Sequence, residues 1–185
     1  DRQVSKLSCK ISKILGMLSN IRYMMSLKVR KQVYNALLLP HICYCITIWS
    51  ATSEHNLNRL EVLVNRICRH LLMVKTRDLH TPELHSLADI LTFRQLCTYH
   101  SSIIAFKLVK GNLTINVPLP PRNEQIHTYP TRHNHHFRTA RTFNIYDKKE
   151  PSYILSKLWN ELPDNIKATN SIASFKKKIK KYILE

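Results

Sequence analysis

Apolar side chains recur along this chain at the spacing of helices. Val4, Leu7, Ile11, Ile14, Leu15 and Leu18 share one helical face, with Lys6, Lys10 and Lys13 largely on the other. The pattern predicts an amphipathic helix ending near Asn20. Ser26 is the candidate N-cap of a second helix, which runs through Lys28, Arg30 and Lys31 into Val33. From Val33 to Trp49, seventeen residues (VYNALLLPHICYCITIW) pass without a charge. This stretch reads as the buried spine of an all-helical domain. Pro40 should kink or break the helix, because it lacks an N–H and its ring clashes one turn back. Beyond it, Ile42 to Trp49 fits helix or strand. A membrane span needs about 20 apolar residues; this run is shorter, and Asn35, Pro40 and His41 interrupt it.

Thr52 or Ser53 caps a third helix with the stripe Leu57, Leu60, Val64, Ile67 and Leu71, while Arg59, Arg66 and Arg69 project elsewhere. These three helices, joined by short connections, predict an antiparallel unit over residues 1–75. Thr81-Pro82-Glu83 marks a helix start. Thr92-Phe93-Arg94-Gln95 matches a capping box, and the helix it opens should run to Lys110, stopped by Gly111 and Asn112. A second helical unit is therefore expected over 76–112. Prolines, histidines and arginines then predict a basic extended linker over 113–142. A C-terminal helical cap follows over 143–185, with one helix near Tyr153–Glu161 and a last one starting at Asn170 or Ser171. Ile172, Phe175, Ile179 and Tyr182 or Ile183 form the apolar side of that last helix. The fold class expected is mainly α.

Charge sharpens this picture. The chain carries 29 Lys and Arg against 12 Asp and Glu, a formal net charge of +17. No acid occurs between Arg2 and Ser53, while eight bases do. Such an excess points to a polyanionic partner, nucleic acid ahead of a membrane surface; the plain alternative is a basic surface that binds nothing. Candidate phosphate contacts are Arg22, Lys28, Arg30 and Lys31 around the first interhelical turn. In the linker, Arg132, Arg138 and Arg141 stand beside Tyr129, His133, His135, His136 and Phe137, a mixture suited to single strands through charge and stacking. Lys176 and Lys177 begin a lysine run that reads equally well as a solvated helix face.

Other chemistry has little support. The five aspartates are dispersed, so no acidic cluster for two magnesium ions is apparent. Two glycines cannot build a phosphate-cradling loop. Cys43 and Cys45, two apart on a helix, diverge by roughly 200° and make a poor zinc pair, and the histidines of 127–136 read as a solvated loop. Catalysis by this chain alone is not expected. Five cysteines at irregular spacing suggest free, mostly buried thiols in a reducing compartment, nuclear or cytoplasmic. Asp1 stands where a start methionine would, which suggests a fragment or processed piece.

Several segments together resemble the region after the catalytic palm in reverse transcriptases of non-LTR (LINE-like) retrotransposons. In LKVRKQVYNALLLPHICYCITIWSATSEHNLNRLEVLVNRICRHLL, the residues Ala36, Leu37, Pro40, His41, Tyr44, Ile46, Ile48 and Trp49 occupy the places of the family's Ala-Leu-x-x-Pro-His, aromatic, hydrophobic and Trp pattern. LHTPELHSLADILTFRQLCTYH is similar to the next family segment, and Tyr129 to Arg141 to its Arg-containing stretch. LSKLWNELPDNIKATNSIASFKKKIKKYIL is similar to the terminal Leu-Trp-Asn-x-Leu-Pro and Phe-Lys-Lys pattern, through Leu158, Trp159, Asn160, Leu162, Pro163, Phe175, Lys176 and Lys177. The four segments occur in the family's order and cover nearly the whole chain. Cys45 departs from it, standing where the family usually has Gly.

The resemblance implies the thumb and post-thumb region of an RNA-directed DNA polymerase. It implies that fingers and palm, with Mg²⁺ and its aspartates, lie N-terminal to Asp1 in the same polyprotein, so that no cofactor belongs to this chain. It implies RNA, DNA or hybrid duplex as partner. A protein–protein or assembly module derived from a retroelement, docking a missing domain through the apolar spine, is the alternative.

Overall fold

The computed structural model describes residues 2–184 apart from 76–77, 114–118, 127–128, 130–133, 140 and 145; Trp49 is described in its backbone alone. The protein is mainly helical. Among the described residues there is no strand, and an isolated antiparallel bridge joins Arg122 to Phe137. The chain forms two compact units, residues 1–97 and 98–185, and the division falls inside a helix. That differs from the breaks expected at 75/76, 112/113 and 142/143, for reasons each unit makes plain.

In the first unit, α1 (Arg2–Ile21) buries Val4, Ile11 and Leu15. The spine begins with α2 (Leu27–Val33), capped by Ser26, whose Oγ accepts from the Val29 N–H at 3.4 Å. The chain stays helical through a π stretch at Tyr34–Leu38 and α3 (Leu39–Cys43), then α4 (Ile46–Trp49). Ser53 caps α5 (Glu54–Leu72), which buries Leu57, Leu60, Leu63, Val64, Ile67, Cys68 and Leu71. Pairing between helices fixes their directions. Arg59 donates to the Ser5 hydroxyl and Arg66 to the Ser12 hydroxyl, both at 3.1 Å. Both pairs advance by seven residues, so α1 and α5 run parallel at heptad spacing. Arg30, at the start of the spine, donates to the carbonyl of Leu71 at the end of α5. The spine therefore runs back against both, and the arrangement is up, down, up.

Pro40 neither breaks this helix nor ends it. In the π stretch ahead of it, the Leu39 N–H reaches the Tyr34 carbonyl, five residues back. The wider turn makes room for the ring and offsets the drift of a four-residue period. Tyr34, Leu38, Ile42 and Ile46 consequently all face the core at 1–3% exposure. The spine is buried on that side only, since Leu37, Tyr44 and Ile48 are 49%, 73% and 70% exposed. Tyr34 brings a hydroxyl inside that meets no partner among the described residues, and burial pushes its pKa up.

Two further elements belong to this unit. α6 (Thr81–Ala88) packs on α5 with Leu84 and Ala88; its N-cap is His80, one residue ahead of the position suggested by Thr81. His85 is buried, with Nδ1 2.9 Å from the Ile90 carbonyl oxygen and Nε2 2.6 Å from Asn65 Oδ1. The start of α7 (Phe93–Val109) has the expected capping box: Thr92 N–H donates to Gln95 Oε1 at 2.9 Å, and Gln95 N–H to Thr92 Oγ1 at 3.2 Å. The Glu61 carboxylate on α5 accepts from the N–H groups of Phe93 and Arg94, an anion at a helix N-terminus. These ties hold residues 81–97 to the first unit.

The second unit comprises the rest of α7, a short α8 (Asn123–Ile126), α9 (Pro151–Glu161), α10 (Asp164–Lys167) and α11 (Ile172–Leu184). Phe106 stacks on Phe175 at 4.3 Å between ring centres, with Trp159 6.5 Å away. Leu155, Leu162, Ile166 and Ile179 complete the core. Phe137 is buried in it too. The segment expected as an extended linker thus supplies part of a core: Asn160 accepts from the Phe137 N–H at 2.9 Å and donates to its carbonyl at 2.8 Å.

Candidate nucleic-acid interface

Because α1 and α5 run parallel, both C-termini lie at one end of the first unit. Helix dipoles leave partial negative charge there and favour cations. Arg22 follows α1; Arg66, Arg69 and His70 lie on the last turns of α5, and Lys75 just past it. They surround a cleft of about 440 Å³ walled by Gly16 and Ser19 of α1. Arg30 stands nearby, its guanidinium taken up by the Leu71 carbonyl, so it works first as a cap for α5. Among the described residues, none of Arg22, Arg30, Arg66, Arg69 and Lys75 makes an ion pair. Asp78 is close in sequence, but its carboxylate accepts from the Lys75 N–H at 2.8 Å.

The crowding leaves marks. Among the described residues, Arg22 Nε, Arg30 Nε, Arg69 Nε and His70 Nε2 are buried and meet no hydrogen-bond partner. The pKa of His70 is lowered, by burial first and then by Arg22, Arg30 and Arg66. A proton there would be a fourth charge among three. Arg22 also lies 4.8 Å over the ring of Tyr23, which is 68% exposed.

The structure does not gather the expected contacts of this unit at one place. Of the four, Arg22 lines the cleft and Arg30 flanks it. Lys28 is exposed and Lys31 half-buried, and neither lines the cleft. Arg66, Arg69, His70 and Lys75 were not among the expected contacts. Their signal lay in the i, i+3, i+4 spacing of Arg66, Arg69 and His70, which puts three basic groups on one side of α5.

The second unit holds the other candidates. Arg138 and Arg141 are exposed and, with Thr139 and Thr142, line an open depression of about 620 Å³. Arg132 and His133 lie outside the described residues. Phe137 cannot stack on bases, because it is core, with the Arg122 guanidinium 5.6 Å above its ring. His135 pairs with Glu124 at 3.0 Å. Tyr129, Phe143 and Tyr146 are exposed. Lys176 and Lys177 project from α11 into solvent, whereas Lys178 donates to the Asn165 carbonyl at 3.0 Å.

All five cysteines are free thiols; Cys68 and Cys97 are buried and Cys43 half-buried, while Cys9 and Cys45 are exposed. Burial raises the pKa of Cys43 to about 11 and those of Cys68 and Cys97 to about 12, which keeps them protonated and poor metal ligands. Among the described residues, no three of His, Cys, Asp and Glu come together to hold a metal ion, and no helix is long and apolar enough to cross a membrane. No protein-family model, curated protein or solved structure matches this chain.

Proposed function

We propose that this chain holds nucleic acid as the thumb and post-thumb part of a non-LTR retrotransposon reverse transcriptase, gripping template–primer duplex while a separate palm does the chemistry. The observation that carries this reading is the convergence of Arg22, Arg66, Arg69 and Lys75 on one cleft that, among the described residues, no carboxylate lines. Fixed cations held together suit nucleic-acid phosphates, internal or terminal, which they bind without reading sequence. A second support is Cys45, which adopts φ 54° and ψ 31°. This left-handed conformation favours Gly, and the resembling pattern has Gly at that place. Mg²⁺ would belong to the palm, and the site of action would be the nucleus or cytoplasm.

The test is titration of the chain against an RNA–DNA hybrid, a DNA duplex and single strands at rising salt. Each phosphate neutralised steepens the slope of log affinity against log salt by about 0.9. We expect affinity to fall roughly a hundredfold or more from about 50 to about 200 mM salt, with little dependence on sequence. Binding unchanged across that range sinks the proposal.

A derived assembly module is the second reading, and Leu37, Tyr44 and Ile48 on the outer side of the spine favour it. It predicts concentration-dependent self-association indifferent to nucleic acid.

A further inference from the structure

We propose that the cleft between α1 and α5 is a built site for a phosphate monoester or pyrophosphoryl group, a multiply charged anion that ends a chain instead of continuing it. The ligand class follows from charge and shape. Arg22, Arg66, Arg69 and Lys75 bring four permanent cations to one recess of about 440 Å³, within the size range of small-ligand pockets, about 300–1,000 Å³. An internal phosphodiester carries one negative charge, and its chain must leave in two directions. A monoester carries nearly two charges at neutral pH and offers three acceptor oxygens. The recess is walled by α1 on one side, by α5 on another, and by Val74 and Lys75 on a third. Such a pocket admits a terminus more readily than a strand passing through.

The donors match such a ligand. Arg forks bind phosphoryl oxygens in pairs. Ser19 Oγ, on the α1 wall, already donates to the Gly16 carbonyl at 2.6 Å, so the donors to an anion are the guanidinium and ammonium groups. Gly16 borders the cleft with room for a side chain: a Cβ there would meet nothing within 4 Å.

Two sources share this chemistry, a 5′-phosphorylated nucleic-acid end and a free polyphosphate. The inference rests on the template–primer reading only for the first. The experiment uses the full chain and a 3′-labelled oligonucleotide carrying either 5′-phosphate or 5′-hydroxyl, with inorganic pyrophosphate as competitor. We expect at least about a tenfold preference for the phosphorylated end. The preference should vanish in the double variant Arg66→Gln, Arg69→Gln. It should vanish also in Gly16→Leu, which fills the cleft without removing a charge. Leu outranks Gly in a helix interior, so thermal melting of Gly16→Leu should hold or rise, which separates occlusion from misfolding.

Pyrophosphate that competes without any end preference, and loses its effect in Gly16→Leu, would support the cleft and assign it to free polyphosphates. Equal affinity for both ends with no competition overturns the inference while leaving the template–primer reading intact. Should neither oligonucleotide bind, the template–primer reading fails, and the cleft is judged by pyrophosphate alone through the His70 ring signals. Bound anion offsets Arg22, Arg30 and Arg66, which face that ring, so its titration should move to higher pH. An unmoved titration then rejects the site.

Discussion

Single backbone angles carry much of this fold. Cys45, Met73 and Asp89 all have positive φ, at 54°, 60° and 52°, and each sits where one helix stops and the chain turns. Met73 and Asp89 are C-caps of α5 and α6, a place where a left-handed residue is common. Cys45 instead sits between α3 and α4 as the N-cap of a four-residue helix. For a residue with a Cβ this costs roughly 1–2 kcal/mol, against the roughly 0.5–1 kcal/mol that Gly loses in chain entropy. Cys45→Gly should therefore stabilise the protein by up to about 1 kcal/mol, read as a higher urea midpoint at unchanged slope. A lower midpoint would show that the thiol contributes packing its exposure does not suggest. The angles at Met73 and Asp89 were not legible beforehand, because neither residue announces positive φ as Gly does; at Cys45 the one signal was a resembling pattern that has Gly there.

Elements whose signals are local read well from sequence, and those fixed by distant partners do not. The capping box at Thr92 and Gln95 was plain because both halves lie within four residues. Glu61, which seals the same helix end, is 32 residues from Phe93, and no short window connects them. Prolines and histidines made 113–142 look like a tether, yet Asn160 grips the Phe137 backbone through both halves of its amide. Within the Leu-Trp-Asn-x-Leu-Pro motif the roles are separate. Trp159 and Leu162 fill the core, Asn160 pins a loop, and Pro163 leads into α10. Asn160→Ala should remove two hydrogen bonds and leave a half-buried amide and carbonyl unpaired, costing about 2 kcal/mol. Melting of the variant checks this, and amide exchange should speed at Phe137 ahead of Phe106 or Phe175. Uniform acceleration across the second unit would mean that Asn160 supports the whole core instead of one loop.

At the scale of the whole molecule, charge was the most legible property and its placement the least. The count of +17 pointed to a polyanion, but the parallel pairing of α1 with α5 decides which cations meet. That pairing could be glimpsed only in the matching heptads of Ser5, Ser12, Arg59 and Arg66. The same crowding sets a pH dependence. His70 and His100, one in each unit, both have lowered pKa values, chiefly through burial, with cations adding to it. Below the ordinary histidine pKa of about 6.5, the unfolded chain takes up protons that the folded chain refuses, so stability rises with pH through that window. Thermal melts should therefore fall from about pH 7 to about pH 5, and the fall should be shallower in His70→Gln. A flat profile would mean that both rings titrate alike in the two states. The thiols have a different use. Cys43, Cys68 and Cys97 are held protonated by burial while Cys9 and Cys45 face solvent. An alkylating dye at neutral pH would thus tag positions 9 and 45 first, and each later tag would mark the moment a particular part of the interior opened.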